Sequence, residues 1–457
     1  MSRFSPDALL MQLRELPDPT CYWVALSGGM DSRVLLHGLH ALSPELAIPI
    51  KAIHVNHGLN RHAREWAYFC QQVCERLGIA CHVLTIDARP AAGQSPEAWA
   101  RQLRYQAMEG VLEQGDMLLI AHHQDDQAET LLLQLLRGAG PHGLAAMPRW
   151  VEFGLGWLGR PLLDFTRNTL KTYATAQGLT WIEDPSNQDT RFDRNLLRQA
   201  ILPLLKQRWP SLSCTLGRVA AWQADAAKLM DNVAEQDLEV ARSKPGGALS
   251  VEALMCLDNV RRGNVLRLWL RGQGLPVPSA RQLEQLCQGV LRAAWDAMPC
   301  LRWPGAEIRR YRDDLYAMQP LSAHDSRAVL DWDPSTPLQL VAGTLQAELA
   351  MGWGLKAALC DHKKITVRFR RGGERCRLMG RPHAHSLKQL FQEAGIPPWQ
   401  RDRLPLIYLD EELAAVAGLW VCYPFGATAR EAGWRIIFEP AVALRPARNG
   451  RCSPALL

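Results

Sequence analysis

The 457-residue sequence predicts an α/β fold in which a parallel sheet carries helices on both faces, followed by a helical domain and a small α+β domain. From residue 23 to about 138, short apolar runs typical of buried strands alternate with apolar spacing typical of helices. Polar clusters follow three of these runs, and ligands of such sheets bind beyond the carboxyl ends of the strands. We therefore expect one ligand-binding crevice at that edge.

The predicted elements follow one another in a regular order. Apolar runs predict strands at residues 22–26, 48–55, 81–86 and 117–121. Apolar periodicity predicts helices after residue 32 and at 65–77, 96–114 and 125–136, the last three ended by Gly78, Gly115 and Gly138. Helices around a turn at 183–187, a mainly helical stretch at 216–320, a linker at 322–337 and short strands from 338 onward complete the chain. The expected domains are 1–215, 216–325 and 335–457.

Composition and charge restrict the class of protein. Hydrophobic residues make up 47% and charged residues 21% of the chain, as in a globular protein. No run of about 18 apolar residues occurs, and the first 20 residues mix charges with short apolar stretches. We therefore expect no membrane span, no signal peptide and a cytoplasmic location. The formal charge of +6 is compatible with a nucleic-acid partner but does not show one.

The 12 cysteines are scattered, and no two have the C-x-x-C spacing. That spacing is typical of zinc ribbons and of thiol redox motifs, so neither is expected here. Most of the cysteines lie in apolar, periodic segments. We therefore predict buried free thiols in a reducing compartment.

A glycine loop connects the first predicted strand to the helix after it. Glycines allow a tight turn and leave room for a ligand, while N–H groups at the helix start and serine hydroxyls favour an anion. Asp31 would repel a phosphate unless a cation or an ammonium group lies between them, so the loop predicts a phosphate–metal site. An ordinary strand-to-helix turn with a Ser or Asp N-cap is the alternative. The loop residues are Ser27, Gly28, Gly29, Met30, Asp31 and Ser32.

A second polar cluster, residues 122–130, follows the fourth predicted strand. On the helix that begins there, Asp126 and Glu129 lie three residues apart on one face. These carboxylates could hold Mg²⁺, while His122 or His123 could donate to a phosphate or move a proton. Two acidic residues at a helix start are also an ordinary capping arrangement. Because the cluster follows a strand as the glycine loop does, we expect both in one active site.

Three groups of arginines are candidates for binding carboxylate or phosphate groups. Guanidinium groups bind both anions bidentately, and basic helix faces contact nucleic-acid backbones. A solvated charged surface is the alternative for each group. The candidates are Arg101 and Arg104, beside Tyr105; Arg191, Asn195 and Arg198; and Arg368, Arg370, Arg371 and Arg375, opposed within their own segment only by Glu374.

Five motifs, in this order, resemble those of tRNA(Ile)-lysidine synthases. They are the glycine loop, HVNHGL at residues 54–59, AWARQLRY at 98–105, the cluster at 122–130 and EDPSN at 183–187. The resemblance extends beyond them. LRLWL at 266–270 with GLP at 274–276 is similar to that family's middle helical domain, and residues 368–375 and 397–399 are similar to the C-terminal domain of its longer bacterial members.

The resemblance implies an adenine nucleotide alpha hydrolase-like fold with a pyrophosphate loop, and an ATP-dependent ligase activity. ATP would adenylate the C2 oxygen of the first-anticodon cytidine of a tRNA(Ile) with anticodon CAU. The ε-amine of L-lysine would then expel AMP to give lysidine. Decoding would change from AUG to AUA, and the identity of the tRNA from methionine to isoleucine. ATP is the implied co-substrate and Mg²⁺ the implied metal, no membrane is involved, and a homodimer is left open.

The resemblance also implies roles for particular residues. Asp31, His123, Asp126 and Glu129 would be catalytic, and Asp31 and Asp126 would hold Mg²⁺. The glycine loop and Val55 would bind ATP. The three arginine groups, with Asn195, would bind the substrates.

Three other functions stay open on the sequence alone. A pyrophosphate-loop tRNA 2-thiolation enzyme would also adenylate a base carbonyl, although it usually needs a thiolate carrier or an iron–sulfur cluster. A small-molecule amidotransferase or ligase would share the fold. A non-catalytic tRNA-binding protein would not need the complete loop.

Overall fold

The structure, a computed structural model, describes residues 3–56, 58, 62–87, 96–243, 247–378 and 381–441. His57 and Leu59 of the second motif lie outside these residues, as does the side chain of Ala98 in the third. The chain forms two compact units that divide between Asn232 and Val233. The three-domain division stays a prediction.

The first unit alternates helices and strands, as expected. Its strands are β1 Tyr22–Ala25, β2 Ile50–Asn56, β3 Ala80–Thr85, β4 Met117–Leu119, β5 Trp150–Phe153 and β6 Gly156–Gly159. Its helices are α1 Pro6–Leu13, α2 Met30–Ala41, α3 Ser43–Leu46, α4 Ala63–Arg76, α5 Pro96–Glu109, α6 Gln124–Leu136, α7 Pro141–Leu144, α8 Arg167–Ala176, α9 Asp193–Leu196, α10 Leu202–Arg208 and α11 Leu212–Ala241, which continues past the division.

The sheet of the first unit has the strand order β3-β2-β1-β4-β6-β5. The pairs β1–β2, β2–β3, β1–β4 and β4–β6 are parallel, and β5 is an antiparallel edge strand paired with β6. The chain reverses its winding direction between β1 and β4, and ligands of such sheets bind at this switch point. The glycine loop after β1 and the polar cluster after β4 flank it. The predicted crevice therefore has the expected position.

Side chains of β1 alternate between two apolar cores, one on each face of the sheet. Tyr22 and Val24 pack with Leu35 and Leu36 of α2, whereas Trp23 packs with Tyr105 of α5 in the opposite core. This period of two is the geometry of a strand buried on both faces, and it explains why the run contains almost no polar residue. The two cores hold β1 firmly, and with it the start of the glycine loop.

The second unit contains helices and four further sheets. Its helices are α12 Val251–Cys256, α13 Asn259–Gly272, α14 Ala280–Gln285, α15 Ala357–Cys360, α16 Leu387–Glu393 and α17 Pro398–Arg401. Its strands are β7 Leu249–Ser250, β8 Cys300–Trp303, β9 Ala306–Tyr311, β10 Asp314–Met318, β11 Val329–Asp331, β12 Leu338–Leu340, β13 Gly343–Met351, β14 Leu355–Lys356, β15 Ile365–Arg368, β16 Arg375–Cys376, β17 His385–Ser386, β18 Leu406–Leu409, β19 Glu412–Val416, β20 Trp420–Val421 and β21 Ala432–Pro440.

The stretch at 216–320 carries a sheet that the sequence did not indicate. The expected helices are present, but β7, β10, β9 and β8 form a four-stranded sheet beside them. The reason is visible in β9, where the fully buried Glu307 accepts hydrogen bonds from Arg302 at 2.7 Å and Arg309 at 2.8 Å. A strand with paired charges in its buried positions lacks the apolar alternation by which strands are recognised.

Two further expectations are corrected by the structure. The predicted linker at 322–337 contains β11, which pairs with β15. The expectation of buried free thiols fails for Cys376 and Cys422, which form a disulfide, and for Cys214, Cys256 and Cys300, which are exposed. Cys376 and Cys422 are 46 residues apart in sequence, so no local spacing revealed the pair. Among the described residues, no helix is long and apolar enough to cross a bilayer.

Candidate active site

The glycine loop has a backbone that requires glycine at its second position. Gly28 has a φ of +85°, a conformation that residues with a Cβ atom rarely adopt. A Cβ atom there would also lie 2.7 Å from Cδ1 of Ile182. The Gly28 carbonyl accepts a hydrogen bond of 2.9 Å from the Ile182 N–H, which ties the loop to the segment before the EDPSN motif.

Hydrogen bonds between the two serines and Gly29 close the loop. The hydroxyl oxygens of Ser27 and Ser32 are 3.1 Å apart, and Ser27 Oγ accepts from the Gly29 N–H at 3.2 Å. Gly29 is the N-cap of α2, and no described side chain caps the helix. The first-turn N–H groups of α2 therefore have no side-chain acceptor, and together with the helix dipole they favour an anion.

Asp31 lies in the first turn of α2 with one oxygen left unpaired. Its Oδ1 is buried and has no hydrogen-bond partner within the described residues, while Oδ2 is 3.7 Å from Nε2 of His123. Burial raises the pKa of Asp31, against the opposing influence of His123. An unpaired carboxylate oxygen at a predicted phosphate site is the arrangement expected of a cation ligand.

His123 and Asp126 form a reciprocal cap at the start of α6. The His123 N–H donates to Asp126 Oδ2 at 3.0 Å, and the Asp126 N–H donates to Nδ1 of His123 at 3.3 Å. Because Nδ1 accepts a hydrogen bond, the proton of the neutral ring lies on Nε2, which faces Asp31. The alternative of an ordinary capping arrangement is thus partly correct, and the same cap fixes His123 against Asp31.

Two arginines bind the carboxylates of Asp126 and Glu129. Glu129 is only 1% exposed; its Oε1 accepts from Arg198 Nε at 2.7 Å, and its Oε2 accepts from Arg194 Nε at 2.9 Å. Arg198 Nη2 also donates to Asp126 Oδ1 at 2.6 Å. Burial favours the neutral form of Asp126, but His123 and His122, followed by Arg198 and Arg194, outweigh it and lower the pKa. Asp126 is therefore ionised.

The helix that carries these arginines is interrupted at Arg198. A π-helical turn at Leu197–Ile201 lies between α9 and α10. Such turns widen a helix locally and occur often at functional sites. Here the turn contains the residue whose guanidinium joins both carboxylates.

These elements surround a cavity of about 730 Å³, which is large enough for a nucleotide. Its walls come from the ends of β1 and β2, the glycine loop, α5, the β4–α6 connection and the segment before α10. Of the predicted site residues, the cavity is lined by Ser27, Gly29, Asp31, Ser32, Val55, Arg101, Arg104, Asp126, Asn195 and Arg198.

The other predicted residues of this unit do not line the cavity. Gly28 and Met30 belong to the loop, while His123 and Glu129 are buried behind Asp31 and Asp126. Arg191 lies apart, with a side chain that is 88% exposed and paired with Asp189.

The structure adds residues that the sequence analysis left out of the site. Arg194 lines the cavity and binds Glu129, and its position four residues before Arg198 on a helix could have revealed it. His54 also lines the cavity, with Nδ1 donating to the Leu26 carbonyl at 2.8 Å. Its motif was noted, but its role depends on a contact between neighbouring strands.

His122 lines the cavity with a ring held neutral. Burial, with smaller contributions from Arg160 and Arg194, lowers its pKa to about 3 against the opposing charge of Asp126. Its buried Nδ1 has no partner within the described residues. His122 is thus available to a ligand as a neutral hydrogen-bonding group.

The residues at 138–148, rich in glycine, are a folded connection to β5. They include α7, and Gln127 of α6 exchanges two hydrogen bonds with the backbone of Met147, at 2.8 and 3.0 Å. Nε2 of His142 lies 3.0 Å from the carboxylate of Asp231. These contacts hold both the middle and the end of the connection.

The arginines at 368–375 are paired with groups distant in sequence. Arg368 binds Glu411 and Arg370 binds Asp402, while Arg371 and Arg375 donate to backbone carbonyls. Glu374 is therefore not the only opposing carboxylate, contrary to what the local sequence indicated. The segment carries a smaller net positive field than its composition alone suggests.

Comparisons with known proteins match three consecutive parts of the chain to known domain families and match nearly the whole chain to curated relatives. The PP-loop domain matches residues 7–205, the TilS substrate binding domain residues 249–316 and the TilS substrate C-terminal domain residues 365–438. The tRNA(Ile)-lysidine synthase of Coxiella burnetii is 44% identical over 439 residues, which cover 96% of this chain and 97% of that protein. That of Methylococcus capsulatus is 44% identical over 413 residues, covering 90% and 94%. A crystal structure of a TILS C-terminal domain is 25% identical, covers 25% of this chain and 98% of that domain, and has a TM-score of 0.22.

Proposed function

The chain belongs to the tRNA(Ile)-lysidine synthase family, and we propose that its cavity joins L-lysine to C2 of the first-anticodon cytidine of a tRNA(Ile) with anticodon CAU. ATP activates the cytidine by adenylation, with release of pyrophosphate, and the lysine ε-amine then displaces AMP. The observation that carries this proposal is the single cavity that brings the glycine loop, Asp31 and the Asp126–Arg198 pair together.

The glycine loop is suited to hold the phosphates of ATP. The first-turn N–H groups of α2 have no side-chain acceptor, and Ser27, Gly29 and Ser32 of the same loop line the cavity, where they could contact an anion. Donors fixed in place before the reaction stabilise the charge that develops on the leaving pyrophosphate without reorganising. The adenine would lie against the ends of β1 and β2, where Ala25 and Val55 line the cavity.

The residues present fit a magnesium ion held by Asp31. Mg²⁺ is usually bound by one or two carboxylates together with substrate phosphates and water, and Asp31 offers a buried oxygen with no partner. The ion would neutralise charge between the phosphates. Both oxygens of Asp126 already accept hydrogen bonds, so we assign it a different role from the predicted metal ligand.

Asp126 is suited to receive the lysine ammonium. It lines the cavity, and the neighbouring histidines and arginines favour its ionised form. We assign His123 and Glu129 as positioning residues, because both are buried behind the cavity wall and bind Asp31, Asp126 or their partners. Arg101 and Arg104 also line the cavity, where they can bind the lysine carboxylate or a phosphate.

Contact with tRNA is assigned to basic residues outside the reacting centre. Arg191 is exposed, and Arg368, Arg370, Arg371 and Arg375 belong to the part that matches the TilS substrate C-terminal domain. The target cytidine must leave its stack to enter the cavity, as single-stranded RNA recognition generally requires. Action in the cytoplasm, where tRNA is found, follows from this substrate, and a homodimer stays a prediction.

Incorporation of radiolabelled lysine into tRNA tests the reaction. We expect ATP-dependent label in tRNA(Ile) with anticodon CAU and none when the first anticodon base is changed to G, because guanine carries an amino group at C2 instead of the carbonyl that is adenylated in cytidine. Sulfur incorporation from a thiolate donor, with no lysine incorporated, would instead support the 2-thiolation reaction.

A further inference from the structure

The second unit contains a cavity of about 800 Å³ that the proposed reaction does not use. It lies between β8 and β9, the segment at 321–327, the loop at 370–372 and the residues at 399–403. Six arginines line it: Arg302, Arg309, Arg327, Arg370, Arg371 and Arg403.

The carboxylates that oppose these arginines are fewer than the arginines. Asp402 lines the cavity and binds Arg370 at 3.0 Å, and the buried Glu307 accepts from Arg302 and Arg309. Two further carboxylates, those of Asp325 and Glu374, accept hydrogen bonds from backbone N–H groups of the cavity wall. Six guanidinium groups thus face four carboxylates, which leaves a local excess of about two positive charges. Burial, and the nearby charge of Arg309, lower the pKa of Arg403 against the opposing charges of Glu307 and Asp402.

Three buried polar atoms of the cavity wall have no hydrogen-bond partner within the described residues. They are Nε of Arg370, Nε2 of His324 and Nε1 of Trp399. Trp399 is 9% exposed, and its ring is fixed by Arg309, whose guanidinium carbon lies 5.3 Å from the ring centre, and by Tyr316. A buried N–H group without an acceptor costs free energy, and a bound anion would remove this cost.

We propose that this cavity binds a phosphate group. Phosphate carries up to two negative charges and several acceptor oxygens, which suits guanidinium and indole donors converging from several sides better than a carboxylate does. The source is either a free phosphate ion or a phosphate of an RNA backbone. In the second case the inference rests on the proposed tRNA contact of Arg370 and Arg371 and gives that contact a defined site.

The indole N–H of Trp399 provides a local measurement, because phosphate in the first cavity does not touch it. In the full-length protein labelled with ¹⁵N at tryptophan, this resonance is identified by its loss in Trp399→Phe. Inorganic phosphate is then titrated at constant ionic strength, followed by a short RNA duplex. A saturable shift with phosphate indicates a free-anion site, and a shift with the duplex alone indicates an RNA phosphate. No shift with either ligand overturns the proposal.

Matched variants test whether the arginines hold the anion. Arg327→Gln and Arg370→Gln should each weaken binding roughly tenfold, the effect of losing one charge-assisted hydrogen bond. The exposed Arg430→Gln should leave the affinity unchanged. Unchanged affinity in both cavity variants, with the other indole resonances in place, would overturn the assignment. If the unmodified protein incorporated no lysine into tRNA but the Trp399 resonance still shifted with phosphate, the proposed reaction would be contradicted and the phosphate site would not.

Discussion

Arg198 donates from Nη2 to Oδ1 of Asp126 across 2.6 Å, and so joins residues 72 positions apart in the chain. The same guanidinium binds Glu129, so a network of ion pairs connects the start of α6 to the π-helical turn before α10. This contact converts two separate sequence motifs into one wall of the active site.

Replacing Arg198 with alanine should cost both stability and activity. Glu129 would keep Arg194 as a partner, but Asp126 would lose its shortest hydrogen bond to a cation. We expect the free energy of unfolding to fall by about 3 kcal/mol, the lower part of the range for a broken buried ion pair. Urea denaturation measures it. Arg191→Ala, which removes an exposed pair with Asp189, should leave stability unchanged; an equal loss in both variants would contradict this account.

Gly28→Ala should abolish tight ATP binding. An alanine at this position would be strained by the positive φ, and its Cβ atom would clash with the side chain of Ile182. Gly178→Ala is the matched control, because Gly178 also has a positive φ, of +61°, but its Cβ would meet no atom within 4 Å. Each variant should lose about 1 kcal/mol of stability from its backbone, whereas only Gly28→Ala should weaken ATP binding by tenfold or more. Equilibrium ATP binding checks this, and equal affinities would refute it.

The neutral state of His122 predicts a pH dependence of stability. Its pKa falls from 6.5 to about 3 on folding because the ring is buried. Between these values the unfolded chain binds a proton that the folded chain does not, so stability falls as the pH drops below 6.5. When the pH falls from about 7.5 to about 5, the free energy of unfolding of His122→Gln should decrease by roughly 2 kcal/mol less than that of the unmodified protein. Urea denaturation at both pH values measures the difference, and parallel pH profiles would contradict the prediction.

Asp31→Asn should remove the dependence of ATP binding on Mg²⁺. The unpaired Oδ1 is our reason for placing the ion there, and an amide oxygen is a weaker ligand than a carboxylate. Nucleotide affinity measured with Mg²⁺ and with a chelator should differ at least roughly tenfold in the unmodified protein and little in the variant. Asp189→Asn, at a residue that does not line the cavity, should keep the full difference. If the ATP affinity of Asp31→Asn still depended on Mg²⁺, the ion would have to bind at a residue other than Asp31.

Local patterns in the sequence predicted the sheet and the glycine loop, because both depend on residues that are neighbours in the chain. The positive φ at Gly28 and the capping position of His123 are consequences of such local order. The partners of charged groups could not be predicted in this way. Arg194 meets Glu129 across 65 positions, and Glu411 neutralises Arg368 across 43. The strand β9 escaped prediction for the same reason, since the charges that hide its alternation are paired only in the folded chain.

Lysine incorporation by Asp31→Ala, beside Asp189→Ala, tests the central claim most directly. Both variants lose one carboxylate, but only Asp31 lines the cavity. With ATP, Mg²⁺ and tRNA(Ile) of anticodon CAU, the account predicts label in the tRNA with the unmodified protein and with Asp189→Ala, and none with Asp31→Ala. Normal incorporation by Asp31→Ala would show that the reaction does not depend on this cavity as we describe it.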